Sequence, residues 1–167
     1  MNRPSELGSL NGEHADNSAH DSAARRATDQ IDPYALIERA EKLINTEPHD
    51  AVVFALRAQN VARARTAETL MARAHFVAGS ALMQVGDWSG ATRQLSQAEQ
   101  VYRAQDDFVA QSRVNILLAT ACCELGEYGE ALDGFAAAAK LETGNDGVAA
   151  ITGGTMAVFA DRLPERQ

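Results

Sequence analysis

A block of about 40 residues occurs twice in this chain in one chemical register, and a helical unit copied in tandem buries its apolar face only against its own copy. Gly86 and Gly126 mark one point of the block in its two copies. The same offset matches Asp87 with Glu127, Trp88 with Tyr128, Ala91 with Ala131, Leu95 with Phe135 and Ala98 with Ala138. All six agreements fall within the short stretch from Gly86 to Ala98, far more than coincidence supplies. The chain is therefore expected to fold as stacked copies of one unit.

The apolar spacing says what that unit is. Ala35, Leu36, Ala40, Leu43 and Ile44 follow Pro33 at helical intervals, and a proline fits the first turn of a helix because its missing N–H has no partner there. This helix is expected to end near Asn45. Glu47, Pro48, His49 and Asp50 punctuate the chain, with Asp50 expected to cap a second helix through Val52, Val53, Leu56 and Val61. From Thr66 to Val85 a third carries Leu70, Met71, Ala74, Val77, Ala78, Ala81 and Leu82, and Gly86 stops it. Asp87 then caps a returning helix through Trp88, Ala91, Leu95, Ala98 and Val101, which runs to the polar break at Gln105, Asp106 and Asp107. Val109, Ile116, Leu117, Ala119, Cys122 and Leu125 lead up to Gly126, and Tyr128, Ala131, Leu132, Phe135 and Ala138 lead back. No segment alternates with the period of a strand. With 46% hydrophobic but only 5% aromatic residues, alanine and leucine must supply most of the core.

These readings divide the chain. Residues 1–30, rich in Ser, Asn, Asp, Gly and Ala, hold too little apolar surface to offset the entropy of ordering and are expected to form a disordered arm. Residues 31–163 form a helical repeat domain: a degenerate repeat at about 31–65, full repeats at 66–105 and 106–145, and a partial repeat or capping helix at 146–163, where Gly153 and Gly154 interrupt the pattern. Residues 164–167 are a tail.

The segments QVGDWSGATRQLSQA and ELGEYGEALDGFAAA resemble the tetratricopeptide repeat, with its small residue, Gly-Asp-aromatic turn, alanine and large apolar residue at these intervals. Gly79 and Ala119 fall at that family's small position, where two backbones approach closely. The resemblance implies an all-α fold of antiparallel helix-turn-helix units stacked into a short right-handed α-solenoid. The usual period is about 34 residues and a proline often closes the unit. The longer spacing here is similar to the extended repeats of bacterial signalling proteins, including the N-terminal regions of some diguanylate cyclases. The implied function is a cytoplasmic scaffold or adaptor that binds a partner peptide or helix in a concave groove, without catalysis. The alternative is the sensory N-terminal region of such a signalling enzyme lacking its output domain. Pairing of copies through the uncapped end of the array is a further expectation.

Carried over position by position, the family's inner groove wall falls on Arg73, Phe76, Ser80, Met83 and Gln84, and again on Arg113, Ile116, Thr120, Cys123 and Glu124. Arg73 and Arg113 are equivalent, and two guanidinium forks on one wall suit the carboxylates of an acidic segment. The competing reading leaves both arginines solvated or paired with neighbours such as Asp106 or Asp107. Where the family's clamp for a terminal carboxylate has an asparagine, this chain has Val77 and Leu117, so that clamp is not expected. Trp88 and Tyr128 read as packing wedges between helices.

A formal net charge of -8 argues against a broad nucleic-acid surface, because counterion release needs a positive one. Arg57, Arg63, Arg65 and Arg73 make a basic run without interleaved aromatics, which reads as a solvated helix face. No stretch has the makings of a signal peptide or a membrane span. Cys122 and Cys123 are adjacent, with neither redox nor zinc spacing, and are read as reduced thiols in or near the core. His14, His20, His49 and His75 are scattered, so neither a metal nor any other cofactor is expected. Glu124, Glu127 and Glu130 gather at a turn and helix start, where they favour the helix dipole.

Overall fold

The computed structural model describes residues 31–141. The expected arm at 1–30, the partial unit at 146–163 and the tail lie outside them. The described residues form six α-helices and no strand: α1 (Pro33–Leu43), α2 (Pro48–Ala64), α3 (Glu68–Val85), α4 (Trp88–Ala104), α5 (Phe108–Leu125) and α6 (Tyr128–Leu141). Each helix packs on the next, α1 also touches α3, and α3 touches α5. The backbones of the even-numbered helices come close only to those of their chain neighbours. The odd-numbered helices thus make one continuous layer, and the even-numbered ones are splayed apart.

Helices α2 to α6 begin at Pro48, Glu68, Trp88, Phe108 and Tyr128, each start following the last at one constant interval. Every helix with its turn therefore takes up the same length of chain, and two of them make the period that separates Gly86 from Gly126. The first unit keeps this register although its sequence hides it. Ala51, Ala91 and Ala131 are equivalent and fully buried, as are Ala58, Ala98 and Ala138. Ala55, Leu95 and Phe135 hold the next equivalent position, so the same slot is filled by a progressively larger side chain.

The joints repeat as well. Gly86 and Gly126 take left-handed backbone at φ 82° and 80°, the conformation that glycine adopts without a Cβ penalty. Their N–H groups bond to Met83 and Cys123 carbonyls, while Asp87 and Glu127 N–H groups reach back to Leu82 and Cys122. The joints between hairpins close in the same pattern, with Thr66 and Asp106 at φ 52° and 54°, again one full period apart. Asp87 caps α4 by accepting from Gly90 N–H at 2.8 Å, and Asp107 caps α5 by accepting from Ala110 N–H at 3.0 Å.

Two boundaries differ from expectation. Asp50 does not cap α2, because Pro48 takes the first turn and moves the cap position to Glu47; Asp50 lies inside that turn, where its charge favours the positive end of the dipole. Helix α1 ends at Leu43, whose carbonyl accepts from Thr46 and Glu47 N–H groups in the turn that leads to Pro48.

Alanine dominates the core, and glycine completes its closest approaches. A Cβ at Gly79 would lie 2.6 Å from Leu95 Cγ and 3.3 Å from the Ala91 carbonyl oxygen, so α3 and α4 meet there without room for a methyl group. In the next hairpin the glycine is on the other helix: a Cβ at Gly134 would lie 3.0 Å from that of Ala119, the equivalent of Gly79.

One polar network crosses this core. Gln59 of α2 donates through Nε2 to Gln94 Oε1 of α4 at 2.8 Å, and His75 Nδ1 of α3 lies 2.7 Å from the same oxygen. An amide oxygen only accepts, so neutral His75 carries its proton on Nδ1. Burial lowers the His75 pKa, against the opposing effect of this hydrogen bond. The triad ties three helices together across the boundary between the first and second hairpins.

Candidate functional site

The layer of odd-numbered helices carries a concavity lined by charged and aromatic side chains. Six residues line it: Glu41 of α1, Arg73 and Phe76 of α3, Tyr102 near the end of α4, and Ala110 and Arg113 of α5, around a volume of about 180 Å³. Arg73 and Phe76 reach it together because they lie one turn apart on one helical face. Arg113 reaches it because α5 repeats the geometry of α3.

The two arginines differ in state. Arg73 makes a two-pronged contact with the Glu41 carboxylate, Nε to Oε1 at 3.0 Å and Nη2 to Oε2 at 2.8 Å. That hydrogen bond raises the Arg73 pKa above its ordinary value, burial opposing it. Arg113 is exposed and stacks on the Phe76 ring, with its guanidinium carbon 5.4 Å from the centroid. Among the described residues it has no carboxylate partner. Equivalent arginines thus meet different neighbours: one is neutralised within the chain, the other is only steadied by an aromatic face.

Tyr102 is buried to 7% exposure and contributes its phenol to the same concavity. Burial is the main reason its pKa is raised; Asp107 adds to this, and the charges of Arg73 and Arg113 pull the other way. Its hydroxyl has no hydrogen-bond partner among the described residues. The site therefore offers a guanidinium fork, a protonated phenol and an aromatic wall, with a net single positive charge from Arg73, Arg113 and Glu41.

Of the residues expected on the groove wall, Arg73, Phe76 and Arg113 come together here. Ser80 and Thr120, equivalent positions, turn their hydroxyls onto their own helices, donating to the Phe76 and Ile116 carbonyls at 2.9 Å and 2.8 Å. Ile116 and Cys123 do not face a groove: they are 5% and 4% exposed and pack with Ala119, Ala131 and Phe135, because the large ring of Phe135 draws that face of α5 into the core. Met83 is half-buried beside the cluster of Leu95 and Val114, whereas Gln84 and Glu124 are exposed at the far end of their helices. The expected alternative partners of Arg73, Asp106 and Asp107, do not pair with it; Glu41 does. Val77 is buried and Leu117 half-buried, both taken up by packing.

Glu41, Tyr102 and Ala110 were not foreseen from the sequence. Glu41 meets Arg73 from a distant part of the chain, and Tyr102 enters from α4, outside the helix faces that the repeat pattern marks.

Among the described residues no group of three His, Cys, Asp or Glu side chains is placed to hold a metal ion, and no helix is long and apolar enough to cross a membrane. Neither Cys122 nor Cys123 is in a disulfide among the described residues, and burial together with Glu127 raises the Cys122 pKa to about 11. Set against family models, curated proteins and solved structures, the chain finds no match in any of the three.

Proposed function

We propose that this chain is a scaffold of the tetratricopeptide kind, which binds a segment of another polypeptide along the layer of α1, α3 and α5 and carries out no reaction of its own. The observation that carries this reading is Arg113, an exposed guanidinium held on the Phe76 ring beside Arg73 and the Tyr102 phenol. Stacking on an aromatic face limits the side-chain freedom lost on binding and leaves the planar fork open to a carboxylate. The all-helical architecture with its regular period supports the reading in kind, since such arrays present extended surfaces to polypeptides.

The direct test is titration of the full chain with a labelled acidic peptide, set against Arg113→Ala. Removing a charge-assisted hydrogen-bonding partner is expected to weaken binding about tenfold. Equal affinity for the two proteins would discard the groove as the binding surface.

A further inference from the structure

The Glu41–Arg73 pair closes half of the site with the chain's own carboxylate. Its geometry is that of a ligand contact: two parallel bonds from one guanidinium edge to two oxygens of one carboxylate, the arrangement in which arginine recognises an acidic side chain. The pair is accessible, with side-chain exposures of 41% for Arg73 and 37% for Glu41, so water or an incoming anion can reach it. It also joins α1 to α3, the two neighbouring members of the continuous layer.

We propose that Glu41 is a built-in competitor for the site: an acidic polypeptide segment places one carboxylate on Arg113 and Tyr102, and a second gains Arg73 only by displacing Glu41. This rests on the groove reading above and adds its regulation. The charge of the lining favours a carboxylate as the group held at Arg113. With Arg73 already neutralised, a single positive charge is left, which matches a monoanion, while a phosphate dianion would bring one uncompensated charge into a partly desolvated site. The phenol donates to the oxygen that the Arg113 fork does not reach, and its raised pKa keeps that proton in place. A chain of net charge -8 repels acidic segments elsewhere on its surface, so attraction is confined to the places where guanidinium groups gather.

The experiment titrates a fluorescein-labelled hexaglutamate peptide, followed by anisotropy at low salt, into four full-length proteins: the wild type, R113A, E41Q and the E41Q/R73Q double variant. Circular dichroism confirms that each is folded. Glu41→Gln keeps the shape of the side chain and removes its charge, and is expected to tighten binding about twofold to fivefold, the scale of one half-exposed ion pair. The gain should vanish in E41Q/R73Q, where the freed fork is absent. If E41Q binds no tighter than the wild type, or the gain persists without Arg73, the competitor role is overturned while the groove reading stands. If R113A binds as well as the wild type, or none of the four proteins binds, both are overturned.

Discussion

Gly79→Ala is a one-carbon perturbation whose sign depends on a single neighbour. The added Cβ would stand 2.6 Å from Leu95 Cγ and 2.9 Å from Leu95 Cδ2, whereas carbon atoms settle at about 3.5–4.0 Å. Leu95 is fully buried and cannot swing into solvent, and the Ala91 carbonyl oxygen at 3.3 Å stops α4 from shifting freely. Overpacking of this kind costs about 1–3 kcal/mol. Alanine returns roughly 0.8–1 kcal/mol through its higher helix propensity. The variant should therefore lose up to about 2 kcal/mol of stability. Leu95→Ala alone opens a cavity and should cost about 2–5 kcal/mol. In that background only the Ala91 carbonyl oxygen still crowds the methyl group at residue 79, so Gly79→Ala should become stabilising by up to about 1 kcal/mol. Urea unfolding of the four proteins by far-ultraviolet circular dichroism measures the cycle, with m-values compared because helical arrays can unfold in segments. A stabilised G79A single variant, or the same effect in both backgrounds, would show that α3 and α4 are not in closest contact at this pair.

Three further outcomes follow from other parts of the fold. Thr66→Gly and Asp106→Gly relieve left-handed backbone at the joints between hairpins and should each stabilise by a few tenths to about 1 kcal/mol, more at the β-branched Thr66 than at Asp106; thermal unfolding ranks them. His75 has a folded-state pKa below its unfolded value, so the unfolded chain takes up the proton first. Stability should hold above about pH 6.5 and fall as the pH drops from there through the folded pKa, and H75N, which copies the equivalent Asn115, should flatten that slope in urea titrations at about pH 5 to 7. Cys122, with its pKa raised to about 11, should react with iodoacetamide at about pH 8 far more slowly than a free cysteine and speed up on addition of denaturant; equal rates in the two conditions would contradict its burial.

How much of this was legible varies with the residues that carry it. The second and third hairpins announce themselves because glycine marks their inner turns, Leu95 stands out against polar neighbours and Phe135 against small ones. The first hairpin keeps the same even spacing but fills its buried positions with Ala51, Ala55, Ala58 and Ala62, and alanine is as common on a helix surface as in a tight core. Thr66 and Asp106 fall at joints that the sequence placed but conceal how these are closed, because threonine rarely adopts left-handed backbone and an aspartate in a polar break need not. The resemblance to the tetratricopeptide repeat, carried over by position from the turn glycines, put Arg73, Phe76 and Arg113 on one wall, since that depends only on local spacing. It missed Glu41 and Tyr102, whose approach depends on how far helices lean on one another. It also misassigned Ile116, because the size of Phe135 on the next helix, and not the pattern of α5 itself, decides which face of α5 is covered.

The uniform spacing of helix starts makes the chain a ruler with divisions of fixed width. The stretch from Thr66 to Gln105 begins on one left-handed joint and ends just before its counterpart Asp106, so it is a closed measure of one period. Spliced in once more, it would present Thr66 to the preceding helix in the place now held by Asp106, and every later helix would keep its rotation. An insertion inside a helix that is not a whole number of periods turns the rest of that helix by about 100° per residue and carries its alanine seam away from its neighbour. Growth and loss of such a chain are thus quantised, and each added quantum would carry one more arginine into line with Arg73 and Arg113.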